Sequence, residues 1–127
     1  MKYAAAISAA IVLFAAPALA DGDAAKGENV FKKCRACHEI GEGAKVKVGP
    51  VLNGVIGRTA GTSEGFTKYS DAMKEAGAGG LVWNEETVAQ YLADPKQFVP
   101  KNKMAFAGLK KEDDIADVIA YLKQFPQ

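Results

Sequence analysis

The sequence predicts an all-α fold: a small single domain of about four helices joined by long loops. Three observations predict it. Near the C-terminus, Ile115, Val118, Ile119 and Leu122 recur at i, i+3, i+4 and i+7, which is one face of a helix. No stretch of useful length alternates apolar and polar residues as a half-buried strand would. Two long intervals, 39–69 and 95–111, are broken by Gly and Pro and carry no helical period.

Residues 1–20 precede the domain. Lys2 is their only charge, an apolar run extends from Ala4 to Leu19, and Ala18-Leu19-Ala20 ends the segment. A short basic start, an apolar centre and an A-x-A end mark a secretory signal peptide, expected to be cleaved after Ala20. The run is short of the ~20 residues a membrane span needs, and Pro17 sits beside the cleavage signal. The expectation is an exported, periplasmic domain over 21–127.

The first helix is predicted over 24–33. Asp23 can cap it, because its carboxylate accepts from free N–H groups of the first turn. Val30 and Phe31 give it an apolar face. Gly27 is a poor helix former, so its presence predicts another backbone passing closely. A second helix is predicted over 71–76, capped by Ser70 and stopped by Gly77. The third starts at Asn84 and ends before Pro95, with Glu85 and Glu86 at its positive end. The last covers 112–125, with acids in its first turn and Lys123 near its end.

The chain has 16 basic and 15 acidic residues, and one of the bases is Lys2. The domain is therefore charge-balanced, which gives no sign of nucleic-acid binding. A domain this small buries a limited fraction of its surface. Long unstructured loops are unusual inside a compact unit. Together these predict a large apolar group that is not protein, ordering the loops around it.

The stretch KCRACHEI, residues 33–40, says which group. It holds Cys34 and Cys37, the only two cysteines, and His38, the only histidine. A disulfide uses both cysteines, and an exported chain would permit it, but it leaves His38 idle. Structural zinc needs four ligands, and Cys and His together number three here. C-x-x-C-H is also the attachment signal for a c-type haem. In that reading Cys34 and Cys37 lie on one face of a turn and bind the porphyrin through thioethers. His38 then faces the iron.

A second histidine does not exist, so the sixth iron ligand must be something else. With Met1 removed, Met73 and Met104 remain. Met73 falls in a short predicted helix, where methionine commonly fills a core gap. Met104 falls in the loop PKNKMAFAG, far enough along the chain to approach the opposite haem face. The choice therefore falls on Met104. With both axial positions held by protein, electron transfer is favoured over enzymatic activity. A haem enzyme or ligand sensor would instead need Met104 to be labile.

Residues 34–38, GPVLNGVIGR (49–58), Trp83, Tyr91 and KMAFAG (103–108) resemble the class I, mitochondrial-type cytochromes c, the soluble bacterial c2 members above all. The resemblance covers nearly the whole domain. It implies the cytochrome c fold around one covalent haem c. It implies that the Pro50 carbonyl accepts from His38, and that Arg58 lies near the inner haem propionate. Trp83 and Tyr69 are implied as donors to that propionate, and Tyr91 as a neighbour of the methionine sulfur. Gly27 and Phe31 are implied to cross the last helix near Tyr121. Two positions depart from the family pattern: Met73 stands where Asn is usual and Lys101 where Gly is usual. The stretch GFTKYS also holds one extra residue before Tyr69.

The function implied is soluble, periplasmic one-electron transfer. The donor would be a cytochrome bc complex, and the acceptor a terminal oxidase, a photosynthetic reaction centre or a periplasmic reductase. Lys45, Lys47, Lys101, Lys103, Lys110 and Lys111 lie in loops with few acids, while acids gather at 21–28, 71–75, 85–86 and 112–117. A lysine-rich haem edge on a monomer is therefore expected to meet these partners, steered by charge.

Overall fold

The structure is a computed structural model and describes residues 21–127. The expected signal peptide lies outside the described residues. Among these the chain forms five helices and no strand: α1 (Ala24–Phe31), α2 (Asp71–Ala78), α3 (Glu85–Ala93), α4 (Pro95–Phe98) and α5 (Glu112–Leu122). One isolated antiparallel bridge joins Thr59 and Val82. No described helix is long and apolar enough to cross a membrane.

The cap of α1 is as expected: the Asp23 carboxylate accepts from the amides of Ala25 at 2.9 Å and Lys26 at 3.2 Å. The helix stops at Phe31, two residues early. From there the amides of Lys32, Lys33 and Cys34 reach back three residues, to Asn29, Val30 and Phe31, so the coil tightens before the cysteines. α1 crosses α5. The Asp117 carboxylate accepts from the Asp23 amide at 2.8 Å, and the Phe31 and Tyr121 rings pack with centroids 5.4 Å apart. Gly27 sits at the crossing, where a Cβ would overlap the Asp117 carbonyl. This is the close passage the glycine predicted.

Ser70 caps α2 by accepting from the Met73 amide at 3.0 Å. The helix does not stop at Gly77 but runs to Ala78, and Gly79 caps it. One interior glycine costs only about 1 kcal/mol, which is too little to end a helix held at both sides. Met73 is a core residue, 8% exposed. α3 begins with a reciprocal cap: Asn84 accepts from the Thr87 amide, and the Thr87 hydroxyl accepts from the Asn84 amide. α4 falls within an interval where the sequence predicts a loop. Asp94 ends α3 and also caps α4, accepting from the Gln97 amide at 3.2 Å, and Pro95 supplies a helical φ at the first position. α5 ends at Leu122 rather than 125, with Gln124 and Phe125 turning back on Tyr121 and Leu122.

The core gathers Val30 and Phe31 from α1, Met73 from α2, Val88 from α3, and Ile115, Val118, Ile119, Tyr121 and Leu122 from α5. The interval 39–69 stays free of helix, as expected. Its backbone closes on itself from Leu52 to Glu39 and is otherwise tied to distant segments: Gly54 to Phe125, Ala60 to Leu81, and Trp83 to Arg58. The loop therefore wraps the helices, and it brings Pro50 and Arg58 to the residues that follow α1.

Candidate functional site

The cysteines stand on the tight turns that follow α1. The amides of Cys37 and His38 both donate to the Cys34 carbonyl, at 3.1 and 2.9 Å. Both thiols are free and half-buried, so the disulfide reading finds no support in the geometry. Burial, with the neighbouring Cys37 second, raises the Cys34 pKa.

His38 Nδ1 lies 2.8 Å from the Pro50 carbonyl oxygen. A carbonyl can only accept, so Nδ1 carries the hydrogen and the Nε2 lone pair is left free. Burial lowers the His38 pKa; the Pro50 contact opposes this, and the Arg58 charge adds to it. A neutral imidazole with a fixed tautomer and a free Nε2 is a metal ligand in waiting. Gly49 makes room for it, because a Cβ there would overlap the ring. The Gly49 amide donates to the Cys37 carbonyl at 2.8 Å, which pins the loop against the cysteine turn.

Around Met104 an aromatic wall forms. The Tyr91 hydroxyl donates to the Met104 sulfur at 3.8 Å. The Tyr91 ring packs on Trp83 at 4.9 Å and on Phe98 at 6.3 Å between centroids. Trp83 is buried. Burial pushes the Tyr91 phenol up to about 12.

Arg58 donates from Nη1 to the carbonyls of Val51 at 3.3 Å and Asn53 at 3.4 Å. Its Nε is buried without any partner, the only such side-chain atom among the described residues. A buried guanidinium N–H lacking an acceptor is costly, and an anionic group placed there would supply what is missing. The Tyr69 hydroxyl accepts from the Ser63 amide at 3.0 Å, which leaves its own proton free to donate. Leu52 and Phe106 pack beside the buried Leu109, Ile119 and Leu122, an apolar lining of the kind a porphyrin needs.

Sequence reading missed three contributors. Gly49 had a signal in the Gly-Pro pair. Asn53, whose side chain bonds both the amide and the carbonyl of Gly41, lay within GPVLNGVIGR without a role of its own, and Asn102, which accepts from the Met104 amide, had no signal. An asparagine in a loop is ordinary until its partners are known. Lys101, where the family pattern has Gly, is the one described non-glycine residue at positive φ, at 67°.

A free imidazole nitrogen, a neighbouring pair of thiols, an orphaned cationic N–H and an apolar lining together suit a covalently held haem. They define a helical protein that carries such a group. The chain belongs to the cytochrome c family, whose model matches residues 24–126. Cytochrome c2 of Blastochloris viridis is 57% identical over 110 residues, 87% of this chain and 83% of its own. Cytochrome c-550 of Ancylobacter novellus is 60% identical over 101 residues, 80% of this chain and 94% of its own. Among solved structures, cytochrome c2 from Rhodospirillum centenum superposes with a TM-score of 0.78 at 48% identity, over 84% of this chain and all of its own. The cofactor is haem c, and the chain is an electron carrier of the c2 type.

Proposed function

We propose that this chain is a periplasmic one-electron carrier with His38 and Met104 as axial iron ligands. Cys34 and Cys37 would hold the porphyrin through thioethers. The observation that carries the reading is the His38–Pro50 contact, which commits Nδ1 to the backbone and leaves Nε2 to the metal. The Tyr91–Met104 contact supports the second ligand.

When bound, the haem supplies a reversible one-electron couple. The chain's part is to keep the coordination the same in both oxidation states. Pro50 and Gly49 hold the imidazole plane. Tyr91 and its aromatic neighbours hold the thioether and keep water from it. Arg58, Trp83 and Tyr69 are the groups proposed to receive the propionate; the orphaned Arg58 Nε favours this. If His38 and Met104 both hold the iron, no coordination site would be left open to a substrate, which favours a carrier over an enzyme. The proposed donor is a cytochrome bc complex, and the acceptor an oxidase, reaction centre or periplasmic reductase.

The test is the visible spectrum of the ferric protein. A His/Met centre shows a weak sulfur-to-iron band near the red end, and its ferrous form resists carbon monoxide. Met104→Ala is expected to abolish the band and admit the gas, whereas Met73→Ala should leave both unchanged. The opposite pattern would overturn the assignment.

A further inference from the structure

We propose that Asn102 is the positioning residue for Met104: its buried carboxamide ties the Met104 backbone to both ends of α4. This rests on the ligand reading above.

Asn102 is 5% exposed, one of three buried polar residues among those described. Its hydrogen-bonding capacity is fully used. Nδ2 donates to the Pro95 carbonyl at 2.8 Å and to the Val99 carbonyl at 2.9 Å. Oδ1 accepts from the Met104 amide at 2.8 Å and, at 3.4 Å, from the Lys96 ammonium. Turning the amide over would face its oxygen to two carbonyls and its NH2 to an N–H, so the partners fix its orientation. The Lys96 ammonium also reaches the Asn102 carbonyl, at 2.6 Å.

The effect is a closed frame. Pro95 opens α4 and Val99 ends it, and both are joined through one side chain to the residue that bears the thioether. Lys101 completes the frame, since its left-handed backbone is the turn through which Asn102 points back at α4. A thioether is a neutral, weak donor that stays on a metal only when its approach is organised for it. Asn102 organises it through the Met104 backbone. Truncating it leaves the Met104 amide without its partner and removes the second donor from the Pro95 and Val99 carbonyls, which keep only the Val99 and Asn102 amides, a loss that corresponds to about tenfold or more in the opening equilibrium of this segment.

The experiment follows imidazole displacing the sixth ligand in the ferric holoprotein, read as the decay of the far-red band. Asn102→Ala is expected to speed displacement about tenfold or more. Asn102→Ser, which keeps one donor and one acceptor on a shorter stem, should fall between Asn102→Ala and the parent. A merely structural role would lower unfolding resistance and leave displacement unmoved. Displacement in Asn102→Ala within about twofold of the parent overturns the proposal. If Asn102→Ala does not fold, Asn102→Ser decides, and a rate no faster than the parent overturns it. Met104→Ala run alongside separates the two claims. A band that survives there removes the ligand reading and the proposal with it; a band lost there, with Asn102 variants unchanged, removes the proposal alone.

Discussion

Lys101 adopts φ 67°, a region that L side chains enter only at a cost of about 1–2 kcal/mol. Glycine would enter it freely but has more freedom to lose on folding. The steric relief is the larger effect, so Lys101→Gly is expected to raise stability by about 1 kcal/mol in guanidinium unfolding. The far-red band should be retained. Tyr91 makes a pH prediction. Its phenol moves from 10.0 to about 12 on folding because burial disfavours the phenolate. Below the unfolded value it is protonated in both states, and stability does not depend on it. Between 10.0 and about 12 only the unfolded chain loses the proton, so stability falls as pH rises through that window. Tyr91→Phe should remove this part of the alkaline slope, measured by unfolding at matched pH.

At the scale of elements, the α1–α5 crossing is the most tightly specified contact. Gly27→Ala would drive a methyl into the Asp117 carbonyl, and backbone cannot step aside as a side chain can. A loss of about 2 kcal/mol is expected in unfolding, with an unchanged visible spectrum, because neither Gly27 nor Asp117 is a proposed ligand. This glycine was legible in the sequence because it interrupts a helical period. The cap residues Asp23, Ser70 and Asn84 were legible for the same kind of reason: each precedes a periodic run with a side chain able to accept. The cysteine turn was legible from spacing alone. α4 was not, because a single turn is shorter than any periodic window, and Pro95 reads equally as the end of one helix and the start of another. Asn102 was not, because its side-chain partners lie two to seven residues away on both sides of a turn formed by the left-handed Lys101. Arg58 was placed by resemblance; nothing in the sequence said that its Nε would be buried without a partner.

Across the whole molecule, charge is divided although its sum is near zero. Lys45, Lys47, Lys101, Lys103, Lys110 and Lys111 are all exposed. Lys47 and Lys110 lay their ammonium groups on backbone carbonyls of Arg35 and Ala107, which holds the charge close to the loops. Val48, 74% exposed, stands bare beside Lys47. Exposed cations with Val46 and Val48 bare among them would suit an acidic partner met briefly. The association rate with an acidic redox partner is therefore expected to fall steeply between low and physiological salt, by stopped-flow. A flat response would reject steering. Glu85 is paired with Lys123 at 2.5 Å, and the two half-exposed groups contribute little to stability.

The turns from Phe31 to His38 are closed by backbone bonds that span three or four residues, and the longer contacts, such as that of the Gly49 amide with the Cys37 carbonyl, are added to turns already formed. Short-range loops close fast and need no partner from elsewhere in the chain. A polypeptide emerging unfolded could thus offer its two sulfurs, side by side and reachable, while residues 49–58 and 104 are still far away. Loading would come first and enclosure second, with the incoming pigment serving as the nucleus on which the remaining loops condense.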